Sequence, residues 1–190
     1  MEDLVRKRLL ESSEVKRQLA ESEESEKIVR IAEAISEALK RGNKVILFGN
    51  GGSAADAQHI ACEFVGRFMK ERKSLPAISL TTNTSCLTAI ANDYSYDVVF
   101  ERQVEAFAKQ GDIVIGISTS GKSKSVIKGI IKAKELGAFT VGLTGKGGGE
   151  LAKVADVCVR VPSDETPRIQ EAHITIGHII SEIVEDELFK

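Results

Sequence analysis

The sequence predicts an α/β fold: a single doubly wound, five-stranded parallel sheet with helices on both faces, preceded by an N-terminal helical arm. Two observations lead to this prediction. From residue 44 onward, five short apolar runs alternate with stretches of helical periodicity. The chain of 190 residues also shows no internal repeat and no proline-rich linker. One domain over residues 1–190 therefore accounts for the length, with residues 1–42 as the helical arm and residues 43–190 as the α/β core.

Each element is predicted from its own pattern. Two amphipathic helices fill residues 2 to 41, and Gly42-Asn43 ends them. The predicted strands are Val45–Phe48, Ala77–Leu80, Ile113–Ile117, Phe139–Leu143 and Val157–Val161. A final helix is predicted from about Glu165 to Leu188, with Gln170, Ile174 and His178 in a row beside its core stripe. That stripe consists of Ile169, Ala172, Ile176, Ile179 and Ile183.

Composition narrows the functional class. The 26 Lys and Arg residues are interspersed with 28 Asp and Glu residues, giving a net charge of -2, which argues against nucleic acid as a direct partner. The three cysteines, Cys62, Cys86 and Cys158, are odd in number and have no C-x-x-C spacing, which favours a reducing compartment. Neither a signal peptide nor a membrane-spanning run is visible. We therefore expect a cytoplasmic protein without a membrane partner.

The segment from Gly49 to Glu63 joins a glycine turn to a His-x-x-x-Glu pair. The turn, Gly49-Asn50-Gly51-Gly52-Ser53, falls between a predicted strand and a predicted helix. Backbone N–H groups and the positive end of the helix dipole favour an anion at such a turn. A phosphate or carboxylate is the predicted ligand.

His59 and Glu63 are four residues apart, so on a helix they lie on one face and can share a metal ion or a reacting proton. The apolar stripe of this helix points in nearly the opposite direction. Its members are Ala57, Ile60, Ala61, Phe64, Val65 and Phe68. The pair therefore faces a cleft, a partner subunit or solvent, and a simple solvated His–Glu pair is the alternative.

A second loop, Gly116 to Ser123, matches the P-loop pattern G-x-x-x-x-G-K-[ST]. It follows the third strand rather than the first, and no predicted strand ends in an aspartate that would help to hold magnesium. We therefore predict a hydroxyl-rich cup for a phosphate monoester, with a capped turn as the alternative. Because parallel strands open at one edge of the sheet, both loops and Asn92-Asp93 should share one crevice.

In this order the motifs resemble the sugar isomerase (SIS) family of phosphosugar-binding domains, and within it the phosphoheptose isomerases. The likeness spans nearly the whole chain, through GNGGSAADAQHIACE, AIAND, GISTSGKS, LTGKGGG and RIQEAHITIGHII. It implies a flavodoxin-like SIS domain that forms a homotetramer with shared active sites. It also implies conversion of sedoheptulose 7-phosphate to D-glycero-D-manno-heptose 7-phosphate, the first step of ADP-heptose biosynthesis for lipopolysaccharide.

The resemblance assigns roles position by position. The phosphate is held by Ser118, Thr119, Ser120 and Ser123. The sugar is lined by Asn50, Gly51, Gly52, Ser53, Asn92 and Asp93, with Glu63 and Gln170 also in contact. One Zn²⁺ per subunit is bound by His59, Glu63, Gln170 and His178. Glu63 serves as the base and His178 as the second acid–base group. Gln170 and His178 are about 12 Å apart along a helix axis, so they must lean together or come from different subunits.

A non-catalytic SIS protein that binds the bacterial replication initiator is the alternative, and Glu63 and His178 argue against it. For His173 we favour a helix-face residue with a local partner. Arg67 is either an ion-pair partner or a substrate contact across an interface. The segment from Ser163 to Arg168 differs from family members that have an aspartate directly before the arginine, and whether Glu165 or Thr166 replaces that contact is open.

Overall fold

The computed structural model describes residues 1–189 and contains the predicted parallel sheet. Its strands are β1 (Val45–Gly49), β2 (Ala77–Ser79), β3 (Ile113–Ile117), β4 (Phe139–Gly145) and β5 (Val157–Val161). They lie in the order β2-β1-β3-β4-β5, and every neighbouring pair is parallel. The predicted fold class and all five predicted strands are confirmed, with ends that differ by two residues at most.

The helices occupy the intervals that helical periodicity predicted. They are α1 (Glu2–Ala20), α2 (Glu24–Lys40), α3 (Gly52–Val65), α4 (Thr84–Asp93), α5 (Val99–Phe107), α6 (Lys124–Glu135), α7 (Leu151–Val154) and α8 (Thr166–Leu188). A 3₁₀ turn, Tyr96–Val98, joins α4 to α5. The two helices of the N-terminal arm both pack against α8, and the boundary between arm and core at residue 42 stays a prediction. Within residues 1–189, no helix has the length and apolarity needed to cross a membrane.

The core has one apolar layer on each face of the sheet. Helices α2, α3 and α8 cover one face, where Ile35, Phe64 and Ile176 are buried. Helices α5 and α6 cover the other face, where the rings of Phe48 and Phe100 stack at 4.8 Å between centroids. Because both faces are covered, the central strands are apolar at nearly every position rather than at alternate ones.

Two predicted apolar stripes need correction. On α8, Ile179 is 39% exposed and Ile183 is only partly buried, whereas Ile180 and Val184 are buried. The buried stripe continues from Ile176 in steps of four residues, and the prediction had shifted it by one position. On α3, the stripe ends with Phe64. Val65 is 46% exposed because it is the last residue of the helix, and Phe68 lies beyond that end.

The strand order places a crevice beside β1. After β1 the chain continues to β2 on one side of the sheet, and after β3 it continues to β4 on the other side. The chain therefore leaves these two adjacent strands in opposite directions. Gly49 and Ile117, the last residues of these two strands, are register partners. Ligands of open α/β sheets bind at such a switch point.

Candidate active site

The loops after β1 and β3 meet at the switch point, as the sequence predicted. Asn50 Nδ2 donates to Ser123 Oγ at 2.8 Å and to Ser125 Oγ at 3.1 Å. Asn50 follows β1 directly, and Ser123 is the N-cap residue of α6. The predicted sugar and phosphate loops are therefore joined by side-chain hydrogen bonds.

Two positions of the first loop require glycine, each for a different structural reason. Gly51 has φ +56°, a backbone conformation that other residues rarely adopt. Gly52 begins α3, and a Cβ there would overlap the side-chain amide of Gln170. Gln170 therefore lies across the first turn of α3, next to the predicted sugar-lining residues. This contact agrees with its predicted place beside the substrate.

In the loop after β3, packing requires a glycine at position 121, which is the glycine before the lysine in the P-loop pattern. Gly121 has φ +63°, and a Cβ there would overlap the carbonyl group of Gly148, in the loop after β4. Backbone hydrogen bonds join the same two loops: Gly145 N–H donates to the carbonyl of Thr119 at 2.9 Å, and Leu151 N–H to that of Gly121 at 3.0 Å. The glycine thus serves a loop–loop contact.

A cavity of about 380 Å³ lies between these loops and the start of α8. Thr119 and Ser120, two of the predicted phosphate ligands, line it together with two cations, Lys122 and Lys146, and one acid, Asp164. Thr166 lines it as well. The sequence analysis did not single out either lysine, although Lys146 stands in the LTGKGGG segment. Their positive charge favours an anion in this cavity.

Helices α3 and α8 bring together three of the four predicted metal ligands. His59 Nε2 lies 3.0 Å from Glu63 Oε1 and 3.1 Å from His178 Nε2. One ligand atom from each of the three residues lies within 4.8 Å of the other two. The close approach of the helices depends on Gly177, where a Cβ would overlap the side chain of Ile60. Sequence spacing had placed His59 beside Glu63 but could not reveal this helix–helix contact.

This cluster of His59, Glu63 and His178 fits a zinc ion in its donor chemistry and its size. Two imidazole nitrogens and a carboxylate are common zinc ligands, and tetrahedral bonds of 2.0–2.1 Å set ligand atoms about 3.3 Å apart. The two separations from His59 Nε2, 3.0 and 3.1 Å, are close to that value, and the third lies within 4.8 Å. The His59 side chain is 51% exposed and that of Glu63 is 19% exposed, so the cluster opens to the surface of the single chain.

The structure does not bring every predicted site residue to one place. Gln170 lies at Gly52, about two helical turns before His178 along α8, and so stands apart from the other three predicted metal ligands in one chain. Asn92 and Asp93 are exposed in the last turn of α4, where Asn92 Nδ2 donates to Asp93 Oδ1 at 2.9 Å. Ser53, in the first turn of α3, and Ser118, in the loop after β3, are both buried.

His173 is buried, and its partner is not local. Its Nε2 lies 3.1 Å from the backbone carbonyl of Thr144 at the end of β4, and its Nδ1 has no partner within residues 1–189. Burial lowers the pKa of His173 from 6.5 to about 4, so the ring is neutral near pH 7. The expectation of a local partner was wrong, since periodicity along α8 carries no information about a contact with β4. For Arg67 the structure favours the ion-pair interpretation, because its Nε lies 3.7 Å from Glu71 Oε2 on the surface.

Similarity to known proteins agrees with this geometry. The family model of the SIS domain matches residues 10–145. The phosphoheptose isomerase of Aquifex aeolicus is 57% identical over 186 residues, covering 98% of this chain and 97% of that protein. A probable phosphoheptose isomerase of Thermoplasma acidophilum is 62% identical over 162 residues, 85% of this chain and 89% of that protein.

Solved structures agree as well. The phosphoheptose isomerase structure from Neisseria gonorrhoeae superimposes with a TM-score of 0.91 at 41% identity, covering 97% of this chain and 98% of the other. A phosphoheptose isomerase structure from Francisella tularensis gives a TM-score of 0.92 at 34% identity, covering 97% of each chain. The chain therefore belongs to the phosphoheptose isomerase family, a group of sugar-phosphate isomerases built on the SIS domain.

Proposed function

We propose that this protein is an aldose–ketose isomerase that converts sedoheptulose 7-phosphate to D-glycero-D-manno-heptose 7-phosphate through an enediolate, as the first step of ADP-heptose biosynthesis. The observation that carries the proposal is the cluster of His59, Glu63 and His178 on helices that border a hydroxyl-rich anion site. Full-length similarity to phosphoheptose isomerases supports the same substrate.

The reaction moves a carbonyl from C2 to C1 of the sugar. A base must remove a proton from the carbon next to the carbonyl, and an acid–base group must exchange protons with the two oxygens. In our proposal the Glu63 carboxylate takes the proton from C1 and returns it to C2. From the facing helix, His178 exchanges protons with the oxygens on C1 and C2 through the ring nitrogen that a bound metal would leave free.

Substrate is held at its other end by the loops. Ser118, Thr119, Ser120 and Ser123 would donate hydrogen bonds to the phosphate, where the start of α6 adds favourable helix-dipole charge. Asn50, Gly51, Gly52, Ser53 and Gln170 would line the sugar. Asn92 and Asp93 belong to this set by resemblance, and contact with substrate would require them to approach from α4 of this chain or of another copy.

The proposed metal is one Zn²⁺ per chain, held by His59, Glu63 and His178, with Gln170 as the fourth predicted ligand. When bound, zinc polarises a carbonyl as a Lewis acid. We further propose a cytoplasmic homotetramer. A neighbouring copy that covered the half-exposed His59 would exclude water from Glu63, and it would also offer a second Gln170.

Proton NMR of the protein with sedoheptulose 7-phosphate in D₂O tests the proposal. We expect a new aldose signal with deuterium at C2, and removal of the metal by a chelator should abolish turnover. Glu63→Gln and His178→Gln should each lower kcat by roughly 10²- to 10⁴-fold, the usual contribution of one acid–base group. Glu71→Gln is the matched control, because Glu71 is exposed and forms a surface ion pair with Arg67.

The outcome separates the two functional classes. Turnover by the wild-type protein would establish the enzyme, and its loss in a Glu63→Gln variant that still binds zinc would establish Glu63 as the base. Unchanged sugar after addition of Zn²⁺ would refute the isomerase proposal. That result would favour the non-catalytic alternative, an SIS protein that binds the replication initiator.

A further inference from the structure

Tyr96 lies outside every motif that the sequence analysis singled out, yet its hydroxyl donates to Asn50 Oδ1 at 2.8 Å. It begins the short 3₁₀ turn between α4 and α5, and its side chain is 53% exposed. We propose that Tyr96 is a positioning residue of the phosphosugar site, which holds the Asn50 amide in the orientation that leaves Ser123 free to donate to phosphate. This inference rests on the proposed function, since it assumes that the loops bind a sugar phosphate.

The hydrogen-bonding capacity of Asn50 is nearly filled by protein. A side-chain amide has two N–H donors and an oxygen with two lone pairs. Both donors are used, on Ser123 Oγ and Ser125 Oγ, and Tyr96 occupies one lone pair of the oxygen. One lone pair of the Asn50 side-chain oxygen remains for a ligand. In this orientation Asn50 can only accept a hydrogen bond from a substrate hydroxyl, and it cannot donate one.

The amide orientation also determines where the serine protons point. Ser123 Oγ accepts from Asn50 and lies 3.2 Å from Ser125 Oγ. When the buried Ser125 donates to Ser123, the proton of Ser123 is free to point toward a phosphate oxygen. If the amide flipped, its oxygen would face the two hydroxyls and would accept their protons instead. A phenol can donate or accept a hydrogen bond, but it is the stronger donor, so the Tyr96 hydroxyl favours the orientation in which it meets the amide oxygen.

Tyr94 provides a matched control two residues earlier. It is 62% exposed, and the guanidinium of Arg102 lies 4.4 Å from its ring centroid. Tyr94→Phe keeps this cation–π contact and removes only a hydroxyl. Tyr96→Phe makes the same chemical change, but it removes the hydrogen bond to Asn50. The comparison therefore isolates that hydrogen bond from general effects of losing a tyrosine hydroxyl near α4.

The test uses the full chain and measures kcat and KM for sedoheptulose 7-phosphate, together with the Kd of inorganic phosphate by isothermal titration calorimetry. For Tyr96→Phe we expect KM and the phosphate Kd to rise roughly 3- to 10-fold, the worth of one neutral hydrogen bond. We expect kcat to stay within about 2-fold, since the reacting carbons lie at the other cluster. Tyr94→Phe should leave all three values unchanged.

Ser125→Ala tests the other end of the hydrogen-bond chain that runs from Tyr96 through Asn50 to the two serines. It should raise the phosphate Kd as well, and the double variant with Tyr96→Phe should cost less than the two single changes multiplied, because both act through Asn50. An unchanged phosphate Kd in Tyr96→Phe, an equal rise in Tyr94→Phe, or independent effects in the double variant would overturn the inference. So would a wild-type protein that does not bind phosphate. Phosphate binding without turnover would instead refute the proposed reaction and leave this inference standing.

Discussion

At the scale of single residues, the site combines patterns that are local in sequence with contacts that are not. The His59–Glu63 pair follows from a four-residue spacing on a helix, which sequence reveals directly. The approach of His178 depends on Gly177 packing against Ile60, a contact between helices more than a hundred residues apart in sequence. The roles of Tyr96 and His173 were not predicted, because their partners lie on other elements.

Zinc binding can be tested by a substitution of His59. His59→Ala removes a proposed ligand, so we expect the purified variant to retain much less than one zinc per chain after dialysis. The loss of zinc affinity should exceed the roughly 10- to 100-fold that removal of an outer partner costs. Elemental analysis of the dialysed protein measures this without reference to activity. His173→Gln, a histidine change outside the cluster, should keep its zinc, and equal zinc loss in both variants would contradict the assignment.

Because His173 is buried and neutral, we expect the folded protein to lose stability in acid. Because its folded pKa is about 4 and its ordinary value is 6.5, the unfolded chain binds more protons between these limits. The contribution of the neutral ring is fully present above pH 6.5 and declines as pH falls toward 4, by about 3 kcal/mol in total. Urea unfolding at pH 7 and pH 4 should show a larger drop for wild type than for His173→Gln. Equal drops would show that the buried ring does not control acid stability.

At the scale of elements, helices and strands were predicted well, whereas the contacts that hold them were not. Periodicity placed β3 and β5 to the residue, since buried parallel strands are continuous apolar runs. It misplaced the α8 stripe by one position, because isoleucine occupies exposed and buried positions of that helix alike. It also gave no sign of the buried ion pair between Arg72 and Glu185, whose members lie 113 residues apart.

This ion pair joins the end of α3 to α8. Glu185 accepts hydrogen bonds from the backbone N–H groups of Met69 and Lys70 at 2.6 and 2.8 Å, and from Arg72 Nε at 2.8 Å. Arg72 in turn donates to the backbone carbonyl of Glu63 at 2.6 Å. Burial alone would raise the pKa of Glu185, but these hydrogen bonds outweigh it and lower the pKa below its usual value. The contacts connect the helices that carry Glu63 and His178.

Glu185→Gln should lower the free energy of unfolding by about 2–4 kcal/mol, because a buried guanidinium loses its counter-charge. The neighbouring Asp186→Asn is the control, since Asp186 forms an exposed pair with Lys70 and should change stability very little. Denaturant unfolding at pH 7 compares the two. The contribution of Glu185 is present above pH 4.5 and is lost as pH falls through its lowered pKa. Equal stability of both variants would contradict a structural role for the pair.

At the scale of the whole molecule, α1 buries little of its surface against its own chain. Leu19 is its one buried residue within the described part of the helix, whereas Leu9 and Leu10 are 67% and 60% exposed. Exposed leucines on a helix with so little buried surface are typical of an interface. The proposed homotetramer would cover them, and nothing in the pattern of a single sequence identifies which copy does so.

Leu9→Lys should therefore weaken self-association and shift the mass toward that of smaller species. Analytical ultracentrifugation across a range of protein concentrations measures the change. Gln18→Lys, also exposed on α1, is the control, because its new ammonium can pair with Glu14 one turn earlier. A monomeric wild-type protein, or an unchanged mass in Leu9→Lys, would contradict the expected role of α1.

The contact between Gly121 and Gly148 has a consequence for how this site can evolve. The loops after β3 and β4 meet through backbone atoms, since neither glycine has a side chain. Their spacing therefore does not depend on the side chains of Lys122 and Lys146, which line the cavity between them. Those two positions are free to mutate while the loops keep their places. A lineage could thus acquire a new anion preference at this cavity without having to rebuild the fold that supports it.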